Sequence, residues 1–297
     1  MSEPLLSVCL ITYNHANYIK EAIDGVLMQK VNFSWELIIA DDFSTDGTRE
    51  IVLEYKKKYP DFITLILQEK NVGPAKNWMD LITYPKSKYI AYFEGDDFWT
   101  DPHKLQMQVD ILEANVKFSF CCHRYKVLFQ SSNNFEDRIY PLNFPVLLPL
   151  YKGVIITIKE YHDVWMTQML TTVFRKEAIL ESINQSSSFK YFRDTHVFYY
   201  LLKQGQGLCL DFVGGVYRIN SGGVYSGVDL SKRLLNDFLI YEELYQQTKD
   251  ILFLKKYIYL AYNLMIRGHN IITVFKSLFF NLSFKDKVNI IKARLVI

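Results

Sequence analysis

The chain has few cysteines, four among 297 residues, and Cys9, Cys121, Cys122 and Cys209 form no CxxC pair and no metal-ligand spacing. They read as reduced thiols of a cytosolic protein. No apolar run reaches the roughly 18–20 residues needed to cross a bilayer, because Lys, Asn, Arg and Asp interrupt every candidate, so no membrane span is expected. Met1 to Pro4 leads almost directly into an apolar strand, without a basic segment, an apolar h-region or a small-residue cleavage site. A cytoplasmic location is the expectation. Charge of one sign is scarce as well. A formal net charge of +2 at pH 7 lacks the concentrated basic excess of nucleic-acid binders, so no nucleic-acid partner is expected. Internal repeats of solenoid period and low-complexity tracts are absent too. What remains, 49% hydrophobic and 22% charged, is the composition of a chain able to bury one or two large cores.

The apolar pattern is that of an α/β protein. Leu5 to Thr12 is a nearly continuous apolar run, and Tyr18, Ile19, Ala22, Ile23, Val26 and Leu27 then recur at helical spacing. A strand at Trp35 to Ala40 and a helix after Asp46, stopped by Pro60, repeat the unit. Further strands are predicted at Phe62 to Leu67 and Tyr89 to Phe93, with a helix from Pro74 to Ile82 between them and another from Pro102 to Ala114 after them. Strands apolar on both faces, alternating with helices, imply a mostly parallel, Rossmann-like sheet flanked by helices, whose ligands bind beyond the carboxyl ends of the strands. Phe118 to Phe129 is β-like, and the Ser/Asn/Pro-containing stretch from there to Pro149 is expected to be a loop. From about Leu230 the pattern becomes helical and rich in Tyr, Leu, Ile, Phe and Lys. The expected division is therefore a catalytic domain at 1–229, with halves at 1–115 and 116–229, and a helical C-terminal extension at 230–297.

Polar residues gather at four strand ends: Thr12, Tyr13 and Asn14; Asp41 and Asp42; Asn71 and Gly73; Asp96 and Asp97. Glu94 adds a third carboxylate at the last of these. Like charges so close raise each other's pKa unless a cation compensates, which favours Mg²⁺ or Mn²⁺ over zinc. Such ions take one or two protein carboxylates and complete their shell with water and phosphate, so a phosphate-bearing ligand is implied. The competing reading of Asp96 and Asp97 is a turn and helix cap before Trp99. At Asp41 to Thr48, Ser44 and Asp46 read as capping residues, and Asp42 as the carboxylate available to a base or ribose.

Four ordered motifs carry a family resemblance: Ser7-Val8-Cys9-Leu10-Ile11-Thr12-Tyr13-Asn14, the Asp41 to Thr48 segment, Asn71-Val72-Gly73 with Lys76 and Asn77, and Glu94-Gly95-Asp96-Asp97. Over about the first third of its length the chain resembles the family 2 glycosyltransferases, which have the A-type nucleotide-diphospho-sugar transferase fold. The resemblance implies that Thr12, Tyr13 and Asp42 hold the nucleobase and ribose and that Asn14, Asn71 and Gly73 belong to the same donor site. Lys76 resembles a basic donor contact, Asp96 a donor-contacting carboxylate that also serves the metal, and Asp97 the metal ligand that bridges to the diphosphate. Mn²⁺ or Mg²⁺ is the implied cofactor, and an inverting transfer of a single sugar the implied reaction.

Such a transfer needs a base on the acceptor side, and Tyr191 to Phe198 resembles the family's segment for it. Asp194 is the expected base, although Arg193 precedes it where many members carry Glu. His196 is the alternative, and an N-cap role for Asp194 the competing structural reading. Trp99, Tyr217 and Arg218 are further acceptor or loop candidates. Tyr217 to Val224 reads as a closing loop in which Arg218 would contact phosphate. The expected partners are a nucleoside-diphosphate sugar, a uridine-diphosphate sugar first among them, and a glycan or lipid-linked glycan acceptor. Peripheral contact with the inner face of the plasma membrane, through the aromatic and basic stretches Tyr257 to Arg267 and Val274 to Lys292, is a further expectation. The readings that compete with transfer are a sugar nucleotidyltransferase, which would carry a Gly-rich, Arg-containing loop after the first strand, and an inactive nucleotide-sugar-binding or scaffold protein. Processive synthases typically carry a Gln-x-x-Arg-Trp motif, missing here, so surface polysaccharide assembly by single additions is the expected setting.

Overall fold

The computed structural model describes residues 3–130, 134–141, 152–163, 167–220 and 229–267. β1 (Leu6–Thr12) is buried along most of its length, with Val8, Cys9 and Leu10 carrying no exposed surface. α1 (Ile19–Leu27) joins the same core through Ile19, Ala22, Ile23 and Val26, which recur at helical spacing and are all fully buried. β2 (Trp35–Asp41), α2 (Thr48–Lys58), β3 (Ile63–Leu67), α3 (Pro74–Thr83) and β4 (Tyr89–Glu94) complete the first half.

These four strands pair in parallel in the order β3-β2-β1-β4. The chain builds outward from β1 through β2 to β3 and returns to place β4 on the other side of β1. The loops leaving β1 and β4 therefore diverge, opening a crevice at the carboxyl ends, where ligands of such sheets bind. In that register Thr12 lies opposite Asp41, and Ile11 opposite Glu94.

The second half adds β5 (Phe98–Trp99), α4 (Lys104–Ala114), β6 (Phe118–Phe129), β7 (Asn134–Tyr140), β8 (Gly153–Ile156), α5 (Ile158–Asp163), β9 (Val173–Arg175), α6 (Lys176–Ser186), α7 (Asp194–Gln204) and β10 (Gln206–Ile219), with a 3-10 turn at Met169–Thr171. The sheet continues β4-β9-β6-β10-β5, with β7 paired to β6 and β8 to β10. β6 and β10 are parallel, whereas β9 runs antiparallel to both β4 and β6. The result is a ten-stranded sheet among the described residues, flanked by helices.

The stretch after Phe129 corrects the expectation of a loop, because Asn134–Tyr140 is a strand antiparallel to β6. The Tyr140 ring stacks on Tyr125 at 5.5 Å. The long β6 offers an edge, and this cross-strand pairing outweighs the polar local composition. Residues 131–133 and 142–149 of the predicted loop lie outside the described residues.

The chain divides into two compact units, residues 1–187 with 194–219 and residues 188–193 with 220–297. In the second, α8 (Leu230–Thr248) and α9 (Ile251–Ile266) pack on each other, Phe238 stacking on Tyr257 at 5.0 Å. Asp229 and Asp250 cap the two helices by accepting hydrogen bonds from backbone N–H groups of their first turns. Among the described residues no helix is long and apolar enough to cross a membrane.

Candidate active site

β4 ends at Glu94, and a turn closed by the Asp97 N–H donating to the Glu94 carbonyl at 3.0 Å brings the following carboxylates back over the strand end. The Gly95 N–H donates to the Ile11 carbonyl at 2.8 Å, which ties this turn to β1. The space beside it is tight: a Cβ would stand 2.9 Å from Thr12 Oγ1 and 3.0 Å from Ile19 Cδ1, so a larger residue would require those side chains to shift. One carboxylate oxygen each from Glu94, Asp96 and Asp97 lies within 4.8 Å of the others.

The electrostatics of this turn are those of uncompensated negative charge. Solvent reaches Glu94, yet the protein packed around it, and then the charges of Asp96 and Asp194, push its carboxyl up to about 8. Asp97 is 2% exposed, and burial followed by the Asp96 and Glu94 charges raises it well above the carboxylate range, against the opposing pull of Arg218. Burial and the same acidic neighbours raise the phenols of Tyr92 and Tyr217, and burial, chiefly, raises Tyr125 to about 12. The donor set is all oxygen and the missing charge is positive, so these residues fit a hard divalent cation such as Mg²⁺ or Mn²⁺.

The turn is held by a residue distant in sequence. Arg218, near the end of β10, donates its backbone N–H to Asp97 Oδ1 at 2.8 Å and its Nε to the Asp96 carbonyl at 2.7 Å. Its guanidinium also pairs with Glu21 Oε2 at 2.5 Å, donates to Gln130, and lies over the rings of Tyr18 and Phe98 at 4.9 and 5.1 Å. The expectation of a closing loop is corrected here, since Tyr217 to Ile219 are the last residues of β10 and Arg218 is only 6% exposed. Three of its guanidinium N–H groups go to protein acceptors, on Asp96, Gln130 and Glu21. The remaining part of that motif, 221–224, lies outside the described residues.

On the β1–β2 side the acidic pair splits its work. Asp41 is fully buried and receives Arg49 Nε at 2.6 Å, while Arg49 also donates to the Gln68 carbonyl at 2.8 Å. Asp42 accepts the N–H groups of Val72 and Gly73 on its two oxygens, at 2.7 and 3.0 Å, and its carbonyl accepts from Asn71 Nδ2 at 3.4 Å. Gly73 adopts φ +85° and ψ 158°, a conformation that side chains disfavour, just before Pro74 opens α3. Asp42, Asn71 and Gly73 thus form one cradle.

Thr12 is buried, with Oγ1 3.3 Å from His15 Nδ1, whereas Tyr13 stays exposed at the rim. Asn14, at φ +54°, donates its N–H to Ser44 Oγ and accepts the Thr45 N–H on Oδ1, both at 2.9 Å. It locks the two loops together. Ser44 therefore ties Asn14 instead of capping α2, while Asp46 Oδ1 accepts the Thr48 N–H at 3.0 Å as a capping residue would. Lys76 is exposed and pairs with Asp80 on its own helix.

Asp194 opens α7, as predicted for this segment, and its Oδ1 accepts the Thr195 N–H at 2.9 Å. Its charge acts on both Glu94 and Tyr125, raising the pKa of each. His196 has no exposed surface. Trp99 corrects another expectation: it is 2% exposed, packs on Phe93 with ring centres 4.6 Å apart, and donates Nε1 to the Leu170 carbonyl at 2.9 Å. It is core, not an acceptor contact. Sequence reading missed Glu21, His15, Arg49 and Lys104. The first three carry no motif beyond helix or loop polarity. Lys104 is a fully buried lysine whose Nζ stands 3.5 Å from the centre of the Trp99 ring.

Comparison with known proteins agrees with this geometry. Residues 7–183 match the sequence profile of Glycosyl transferase family 2. Rv1520 of Mycobacterium tuberculosis, an uncharacterized protein, is 41% identical over 142 residues, 48% of this chain and 39% of that one. The UDP-Glc:alpha-D-GlcNAc-diphosphoundecaprenol beta-1,3-glucosyltransferase WfgD of Escherichia coli is 32% identical over 132 residues, 44% of this chain and 50% of that one. The chain thus spans half or less of the length of these relatives. Among solved structures, the mannosyltransferase PcManGT of Pyrobaculum calidifontis, in complex with GDP-Man and Mn²⁺, shares the fold with a TM-score of 0.56 at 15% identity, over 99% of this chain and 80% of that one. With more than half of its residues inside the family profile, this chain is a member of the family 2 glycosyltransferases.

Proposed function

We propose that the chain transfers a single sugar, with inversion, from a nucleoside-diphosphate sugar to an acceptor hydroxyl, with Mn²⁺ or Mg²⁺ as cofactor. The observation that carries this reading is the crowding of Glu94, Asp96 and Asp97 at the point where the β1 and β4 loops diverge, within electrostatic reach of Asp194. Glu94, Asp96 and Asp97 would hold the divalent cation, whose charge would stabilise the departing nucleoside diphosphate. Thr12, Tyr13 and the Asp42–Asn71–Gly73 cradle line the side on which base and ribose would lie. Asp194 takes the proton of the acceptor hydroxyl as its oxygen bonds to the anomeric carbon and the bond from that carbon to the diphosphate breaks. A single displacement of this kind inverts the centre, as in the paired-carboxylate logic of inverting glycosidases.

A uridine-diphosphate donor and a lipid-linked glycan acceptor, in surface polysaccharide assembly at the cytoplasmic face of a membrane, are the favoured substrates and setting; the name of WfgD supports the donor and the acceptor. The Mn²⁺ in the PcManGT complex supports the cofactor.

The test is a panel of uridine, guanosine, thymidine and cytidine sugar nucleotides, scored for binding and slow hydrolysis with Mn²⁺, with Mg²⁺ and with chelator. Metal-dependent binding of one donor, abolished in Asp97→Ala, is expected. Asp194→Asn should keep donor binding and lower transfer about 10²–10⁴-fold. Release of pyrophosphate from a nucleoside triphosphate would point to nucleotidyl transfer instead, and no binding of any donor with metal present would leave a scaffold role.

A further inference from the structure

α9 separates its residues by face more sharply than its sequence suggests. Phe253, Leu254, Tyr257, Leu260, Ala261 and Leu264 are buried within the second unit. On the opposite side Ile251, Lys255, Tyr259, Tyr262 and Ile266 follow one another at intervals of four, four, three and four residues, which is one helical stripe. The apolar and aromatic members are open to solvent: Ile251 48%, Tyr259 54%, Tyr262 42% and Ile266 66%. Lys256 and Arg267, both exposed, flank the stripe, and no Asp or Glu occurs from Ile251 to Arg267.

Tyrosine, with an apolar ring and a polar tip, and lysine, with an apolar stem and a charged head, are the side chains that settle at a boundary between hydrocarbon and water. A stripe of Tyr and Ile with Lys255 in it and Lys256 and Arg267 beside it, against the single acid Asp250 at the helix N-cap, is complementary to an anionic, partly apolar surface. Water gains nothing from Ile266 or Ile251. A helix with this pattern lies in the plane of a bilayer rather than across it.

We infer that the exposed face of α9 docks onto a bilayer surface bearing anionic headgroups. Tyr259, Tyr262, Ile251 and Ile266 enter the headgroup boundary while Lys255, Lys256 and Arg267 meet the lipid phosphates. The inference is independent of catalysis and is measured without donor or acceptor, so its failure and that of the transferase reading are separable.

The full chain is floated with vesicles of phosphatidylcholine alone and with vesicles of equal parts phosphatidylcholine and phosphatidylglycerol, at low and high salt. Binding to the anionic vesicles, weakened by salt and absent on phosphatidylcholine alone, is expected. The double variant Lys255→Glu, Lys256→Glu should bind at least about tenfold more weakly. If circular dichroism shows that this variant is unfolded, Tyr259→Ser with Tyr262→Ser, expected to weaken binding severalfold, decides in its place. Absence of wild-type binding to anionic vesicles, or binding unchanged in the folded variant, overturns the inference.

Discussion

The backbone N–H of Arg218 donates to Asp97 Oδ1 at 2.8 Å across 121 residues of sequence. The same residue holds the Asp96 carbonyl through Nε and reaches Glu21 on α1. The acidic turn is thus braced from the last strand of its unit, and the brace is itself anchored on the first helix.

Arg218→Lys keeps the charge but loses the planar fork that reaches three partners at once. We expect it to fold and to bind Mn²⁺ about 10–100-fold more weakly, the usual penalty for disturbing a group that orients metal ligands. Titration calorimetry with Mn²⁺ reads this directly. Native affinity in Arg218→Ala would show that the turn needs no brace.

Asp42→Asn tests the donor-side cradle. The carboxylate accepts from both Val72 and Gly73, whereas an amide offers only one oxygen, so one N–H must lose its partner. A loss of about 1–3 kcal/mol is expected in urea unfolding, and Gly73→Ala, forced to φ +85°, should cost a similar amount. Because both changes loosen one contact, the double variant should lose less than the two losses combined. Full additivity would mean that the cradle does not act as a unit.

Lys104 gives the chain a stability that depends on pH. Burial holds its amine well below the usual lysine value, so the unfolded chain binds a proton there over a range in which the folded protein does not. Stability from this residue is therefore lost as pH falls from the ordinary lysine range toward the depressed folded value, and regained as pH rises. Lys104→Met, which keeps the stem and its contact with Trp99, should stabilise the protein by about 1–3 kcal/mol at neutral pH, with a gain that shrinks toward pH ~10.5. Thermal melts of both proteins across that range measure it, and a gain independent of pH would mean that the amine is paired.

The elements of the first half were legible because their signals are local. Trp35 to Ala40 and Pro74 to Ile82 were placed within one residue of the observed β2 and α3, since an apolar run and a proline at a helix start act over a few residues. The same holds for the start of α7 at Asp194. β7 escaped because Asn134–Tyr140 becomes a strand only by pairing with β6. The polar residues at the strand ends were legible as a set, but their individual work was not. Trp99, between Phe98 and Thr100, turned inward, and Asp41 found Arg49 while Asp42 found the backbone of another loop.

By itself, then, the sequence determined that a parallel α/β sheet forms and that carboxylates gather at its carboxyl edge, because hydrophobic period and turn chemistry are written within each segment. Only the tertiary structure decided which carboxylates crowd together, which are spent on holding loops, and that Arg218 braces the acidic turn instead of facing solvent. Those choices depend on partners 121 and 197 residues away, and a partner at such a distance is selected by packing and desolvation, which leave no local mark on the sequence.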